Sequence, residues 1–212
     1  MIIKCSDKSK SLVAMSDTVY RGKAENILAN TEDYELADMT PEGLEQVLTN
    51  VLKRTRNLKN LPPDVYNGLF PRKTSLPQFY GLPKIHKADA PLRPVVAAFD
   101  GPLTAISILL ERILHLLLTF VPAHIPNTVA ATKSLETTFP SLRTPSNAIV
   151  VTMDVVALYP SIPIEDGIAA AIEKLKQHEN EIDTLGIPLS DIETLLRFVL
   201  TNNYFQFGEK GY

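Results

Sequence analysis

Cysteine is nearly missing from this chain: Cys5 is the only one among 212 residues. An internal disulfide is therefore excluded, and a reducing compartment fits. Neither sign of charge dominates, since 21 Lys and Arg stand against 24 Asp and Glu for a net charge of -3. That balance by itself argues mildly against a nucleic-acid binder. No apolar run is long and unbroken. The longest, between Leu103 and Val121, is interrupted by Glu111, Arg112 and His115, which predicts a buried helix and not a membrane span. No leader segment is evident, because Met1-Ile2-Ile3-Lys4 passes straight into the polar stretch from Ser6 to Ser11. Internal repeats and low-complexity tracts are also lacking. What remains is 45% hydrophobic and 21% charged, enough apolar material for one large domain or two small ones.

The charges that are present are unevenly spread. Lys53, Arg54, Arg56, Lys59, Arg72, Lys73, Lys84, Lys87 and Arg93 are opposed over that stretch only by Asp64 and Asp89. From Asp154 onward acidic residues take over, among them Glu165, Asp166, Glu173, Glu181, Asp191 and Glu193. A basic part beside an acidic part suggests one face for phosphates and another facing solvent or metal. Scattered, solvated charge is the plain alternative.

Local patterns predict an α/β (α+β) protein. Leu12 to Met15 suits a short strand, and Ser16-Asp17 a turn or helix start. Thr40-Pro41 opens a helix, with Thr as N-cap and Pro at the first helical position. Leu44, Val47, Leu48, Val51 and Leu52 form its apolar face. From Leu61 to Pro102, eight prolines exclude a long helix, leaving loops and short strands near Gln78 to Tyr80 and Arg93 to Phe99. A strongly apolar helix follows, carrying Ile106, Leu109, Leu110, Ile113, Leu114 and Leu117. Ala148 to Val156 has the highest strand propensity in the chain. Residues 165–178 suit a helix with Ile168, Ala171, Ile172 and Leu175 inward, and Ser190-Asp191-Ile192-Glu193 reads as a capping box before another. Tyr204 to Phe207 reads as a strand and Gly208 to Gly211 as a hairpin turn, with Tyr212 standing where a return strand should begin. That arrangement leaves an unpaired edge, so the chain reads as truncated.

Two segments carry candidate chemistry. In Val150-Val151-Thr152-Met153-Asp154-Val155, a carboxylate near the end of a buried strand needs compensation. A divalent cation such as Mg²⁺ would supply it, or Asp154 caps the next turn. In Phe79-Tyr80-Gly81-Leu82-Pro83-Lys84-Ile85-His86-Lys87 and Pro91-Leu92-Arg93-Pro94, three cations sit on a proline-stiffened segment. Cations held at fixed positions suit a phosphate chain. A solvated basic loop is the competing reading, and His86 has no partner at metal-ligand spacing.

Taken in order, Tyr80 to Lys87, Leu92 to Val96, and Asp154-Val155-Val156-Ala157-Leu158-Tyr159-Pro160-Ser161-Ile162-Pro163 resemble the successive motifs of the reverse transcriptases of Penelope-like retroelements. Ser6-Asp7-Lys8 with Leu12 to Met15 resembles that family's N-terminal segment, and Asn203 to Phe207 its segment before the next palm motif. The resemblance spans nearly the whole chain. It implies the fingers and partial palm of a right-hand polymerase: residues 1–102 as a fingers-like region and 103–212 as a partial palm carrying the first catalytic aspartate.

The implied activity of the full-length enzyme is RNA-directed DNA polymerisation, with an RNA template, a DNA primer, deoxynucleoside triphosphates and two Mg²⁺ or Mn²⁺ ions. By the resemblance, Asp154 is the catalytic aspartate and a ligand of both metals, and the carbonyl of Val155 is a further ligand. Tyr159 stands as the gate below the incoming sugar. Arg93, with Lys87 or Lys84, stands where fingers residues contact the triphosphate. The expected location is intracellular, in the nucleus, without a membrane association. The sequence also departs from the family. No two aspartates are adjacent anywhere in it, and the pair that completes the metal site is missing. The chain alone is therefore expected to be inactive. A non-catalytic nucleic-acid-binding remnant and an interaction subunit are the alternatives.

Overall fold

The computed structural model describes residues 1–9, 11–72, 74–138, 151–155 and 158–212. In chain order the elements are β1 (Ile2–Cys5), β2 (Leu12–Met15), α1 (Asp17–Leu28), α2 (Pro41–Arg54), α3 (Pro63–Gly68), β3 (Gln78–Pro83), β4 (Leu92–Ala97), α4 (Thr104–His115), α5 (Thr128–Thr138), α6 (Leu158–Ser161), α7 (Ile164–Gln177), α8 (Leu189–Thr201), β5 (Gln206–Phe207) and β6 (Lys210–Gly211). The fold is mixed α/β with small sheets. It divides into two compact units, Met1–Leu110 together with Thr184–Tyr212, and Glu111–Asp183. The first unit is discontinuous in sequence. Among the described residues no helix is long and apolar enough to cross a membrane.

In the first unit, local chemistry explains the helix starts. The Ser16 hydroxyl accepts from the Val19 amide at 3.2 Å and starts α1. The Thr40 hydroxyl accepts from the Gly43 amide at 3.0 Å, with Pro41 at the first position of α2. Both satisfy an amide that has no partner within the helix. Leu44, Leu48 and Leu52 bury one stripe of α2, whereas Val47 on the expected face is exposed. The proline-rich stretch holds a helix that its composition did not suggest. Pro63 begins α3 because its fixed φ suits a first helical position, where no amide donor is needed.

The capping box is not formed. Helix α8 starts earlier, from an extended Pro188, and no side chain caps it. Asp191 instead accepts from the Asn57 side chain at 2.8 Å, and Glu193 pairs with Arg197 at 3.2 Å.

A four-stranded sheet with order β4-β3-β5-β6 organises this unit. β3 and β4 are antiparallel, with Leu82 opposite Arg93 and Pro83 opposite Leu92. β5 joins β3 in parallel through Gln78 and Gln206, and β6 closes an antiparallel hairpin onto β5. The return strand therefore begins at Lys210, two residues before the expected Tyr212. Gly208, at φ +63°, takes the left-handed first position of a two-residue turn, a conformation glycine adopts without a Cβ penalty. Phe205 and Tyr212 then exchange backbone bonds of 3.0 and 2.9 Å. β1 and β2 form a separate antiparallel pair. Tyr20, Ala24 and Leu28 of α1 pack with Phe79, Leu92 and Phe205 into the core beneath the sheet.

Glu45 of α2 ties down the segment that leads into β3. Its carboxylate accepts from the Thr74 hydroxyl at 2.6 Å and the Thr74 amide at 2.9 Å. These bonds hold the Glu45 pKa below its ordinary value, the hydroxyl contributing most. A lowered pKa adds stability that is present above the unfolded value and lost as pH falls through the folded one. Glu45→Gln should therefore be less stable than wild type at neutral pH. The gap should close below a pH of about 4.3, the usual glutamate value. Denaturant melts from pH 7 to pH 3 check this, and a gap that widens in acid would contradict it.

In the second unit, Ile113, Leu117, Ile168, Leu175 and Ile182 are buried. Of the four inward residues expected of α7, Ile168 and Leu175 are buried, whereas Ala171 and Ile172 are only half-buried. The Phe120 ring stacks on His178 with centroids 3.9 Å apart. The segment expected to be the best strand behaves otherwise where it is described. Residues 151–155 form no strand, and Val151, Met153 and Val155 are exposed. Residues 148–150 and 156 lie outside the described residues. Strand propensity is realised through pairing with a neighbour, and the described residues of this unit contain no other strand.

Candidate functional site

The basic segment becomes the β3–β4 hairpin and its loop. The ladder continues one step past β3, since the Lys84 amide donates to the Pro91 carbonyl at 2.8 Å. Alternation along an antiparallel pair then decides which backbone groups of β3 face β4 and which face away. Residues 78, 80, 82 and 84 bond across the ladder. The odd-numbered residues turn their polar groups outward, and each outward group named here has a partner. The Pro77 carbonyl accepts from Gln206 at 2.8 Å, and the Pro83 carbonyl from Asp7 at 3.0 Å. The Gly81 amide donates to the buried Tyr20 hydroxyl at 2.8 Å. Pro94 lies opposite Gly81 on an edge strand, where its lack of an amide donor breaks no ladder bond.

The same register sorts the side chains. Phe79, Gly81, Pro83 and Leu92 share the face toward the core, where all four are buried. Tyr80, Leu82, Arg93 and Val95 share the other face, and the extended register puts Lys84 there too. The loop beyond is held by successive turns, Lys87 amide to Lys84 carbonyl at 2.9 Å and Ala90 amide to Lys87 carbonyl at 3.2 Å. Asp89 and Ala90 adopt positive φ values of 58° and 41°. Such a conformation is uncommon for residues with a Cβ. Lys23 of α1 reaches across to donate to the Asp89 carbonyl and supports it.

Lys84 is half-buried, while His86, Lys87 and Arg93 are exposed. Arg93 pairs through Nε with Asp7 Oδ1 at 2.7 Å. The three residues expected at the triphosphate, Lys84, Lys87 and Arg93, thus sit on one hairpin that α1 and the β1–β2 segment brace. Tyr159, expected below the sugar, lies in α6 of the second unit, and its side chain is outside the described residues. The basic residues Lys53, Arg54, Arg56 and Lys59 fall elsewhere, at the exposed end of α2 and the 3-10 turn that follows it.

Asp154 and Val155 belong to the second unit and are exposed. The buried environment that made a compensating cation necessary is not found for Asp154. Among the described residues, no group of three or more His, Cys, Asp or Glu could hold a metal ion. Among the described residues the donor set does not fit a two-ion centre.

Sequence reasoning passed over Asp7 and Tyr20 as functional positions. Each acts on the hairpin from a distant point in the chain, and nothing in the spacing signals it. It also passed over a cleft of about 370 Å³ lined by Lys4, Tyr20, Arg21, Tyr80 and Phe207, among others. There the Lys4 ammonium lies 5.9 Å from the Tyr20 ring centroid and 5.3 Å from that of Tyr80.

Compared with protein-family models, with curated proteins and with solved structures, the chain matches none. The functional reading rests on its residues and their arrangement.

Proposed function

We propose that this chain is the fingers and early palm of an RNA-directed DNA polymerase of the Penelope-like retroelement type. In this reading the β3–β4 hairpin grips the triphosphate of an incoming nucleotide. The observation that carries the proposal is the grouping of Lys84, Lys87 and Arg93 on one braced, proline-stiffened hairpin. Polyphosphate is recognised best by cations that need no reordering, because fixing long side chains costs entropy on binding. Arg93 would offer a planar fork and the lysines point charges. Asp154 alone would not hold a pair of metal ions, and in this reading two further carboxylates would have to join it before such a centre could form. The expected nuclear location belongs to the same proposal.

A second reading, a nucleic-acid-binding remnant without catalysis, is favoured by the exposure of Asp154 and by the lack of a metal-holding cluster among the described residues. Primer extension on an RNA template with Mg²⁺ or Mn²⁺ is expected to give no product from this chain alone. Incorporation that disappears in Asp154→Ala would overturn that expectation and show a working metal site.

Both readings expect weak binding to nucleic acid, governed by counterion release. Fluorescence anisotropy with labelled RNA should show affinity falling as salt rises. Neutralising Lys84, Lys87 and Arg93 together should flatten the salt slope by roughly two to three units, about one per phosphate contact. An unchanged slope would move the binding surface away from this hairpin.

A further inference from the structure

Asp7 is an unusual aspartate. Its side chain is only 6% exposed, and Oδ1 forms an ion pair with Arg93, Nε lying 2.7 Å away. Its other oxygen, Oδ2, is buried without a hydrogen-bond partner among the described residues. A buried carboxylate oxygen left unpartnered is costly. The backbone around it is firmly held. The Asp7 amide bonds to Pro83 at the end of β3, and the Ser6 amide bonds to the Ser11 carbonyl at 2.8 Å. The Ser6 hydroxyl also accepts from the Ser11 amide at 3.1 Å. Asp7 is therefore built into the hairpin as a fixed anion.

What this anion does follows from which nitrogen of the guanidinium it lies against. An arginine has five N–H donors, one on Nε and four on the two Nη groups. The usual paired geometry spends two of them on both oxygens of one carboxylate. Here the pair runs through Nε and Oδ1, and the Arg93 side chain stays 50% exposed. The guanidinium is anchored by its inner edge, with its outer edge left for a second anion.

We infer that Asp7 is a positioning residue: it locks Arg93 so that its Nη edge meets a phosphate chain beside Lys84 and Lys87. This rests on the reading of the hairpin as a triphosphate site. It reverses a simple electrostatic expectation. If Asp7 acted only as nearby negative charge, neutralising it would strengthen anion binding. If it positions Arg93, neutralising it weakens binding.

The test titrates inorganic tripolyphosphate by calorimetry into the full chain as wild type, Asp7→Asn, Arg93→Lys and the double variant. Asp7→Asn is expected to bind about tenfold more weakly, the scale of one charge-assisted contact. Arg93→Lys, which keeps the charge but loses the fork, should lose as much, and the double variant no more than Arg93→Lys alone. Losses that add would show general loosening and overturn the positioning role. So would Asp7→Asn binding as tightly as wild type or tighter. Should Asp7→Asn fail to fold, Arg93→Lys decides alone, because wild-type affinity there would leave nothing for Asp7 to orient. A wild-type chain that does not bind tripolyphosphate would reject the triphosphate reading itself, and the role of Asp7 with it.

Discussion

Phe205→Ala is expected to lower the unfolding free energy by about 3–5 kcal/mol, the usual cost of emptying a buried phenylalanine site. Phe205 is buried just before β5. Its ring stacks on Phe79 at 5.8 Å and on Tyr212 at 5.5 Å, and meets Tyr34 edge-on at 6.0 Å. Each aromatic pair is worth about 0.5–1.5 kcal/mol beyond simple burial. These contacts matter because the backbone does little at this junction. β5 is registered on β3 at one residue pair, Gln78 with Gln206. The terminal hairpin is thus held on the sheet mainly by side chains, and removing the central ring should release it. Equilibrium denaturation measures the loss. Amide exchange at Gln206 and Tyr212 should accelerate in the same variant. Phe99→Ala is the control: that ring is 88% exposed, and the change should stay within about 0.5 kcal/mol. A Phe205→Ala cost as small as the control's would mean that the hairpin is not docked through this ring.

Gly81→Ala is expected to cost about 1–3 kcal/mol by overpacking. A Cβ at this position would lie 2.6 Å from Leu92 Cδ1 and 2.8 Å from Leu92 Cβ. Leu92 is itself 4% exposed within the core cluster, so it has nowhere to retreat. The Gly81 amide is also fixed by the Tyr20 hydroxyl, which prevents β3 from sliding aside. The strain should therefore fall on β4 at Leu92, the neighbour of Arg93, and tripolyphosphate affinity should drop together with the melting temperature. A double-mutant cycle isolates the clash. Leu92→Ala alone opens a cavity, but combined with Gly81→Ala it should cost less than the sum of the two. Additive losses would place the strain somewhere other than at Leu92.

Much of the local structure was legible in the sequence because the interactions that decide it span four residues or fewer. Ser16 and Thr40 cap helices, Pro41 begins one, and the apolar spacing of α7 names its buried face. The proline-rich stretch yields the two strands expected near Tyr80 and Arg93, each somewhat displaced or extended. Where a local signal met a competing one, the stronger backbone constraint prevailed. Pro188 started α8 before Ser190 could cap it, and Gly208 turned the chain early enough to pair Lys210 with Phe207.

The candidate site divides along the same line. By itself the sequence determined that cations and prolines fall together between residues 84 and 94, that a single aspartate stands at 154 without an adjacent partner, and that an internal disulfide is impossible. Only the tertiary structure decided which cation is held and by what. Asp7 reaches Arg93, Tyr20 reaches Gly81 and Lys23 reaches Asp89 across separations of 61 residues or more, where no periodicity or spacing rule operates. It also decided that residues 151–155 do not form a strand. Propensity describes what a segment does when a partner strand lies beside it, and that partner is a matter of the fold.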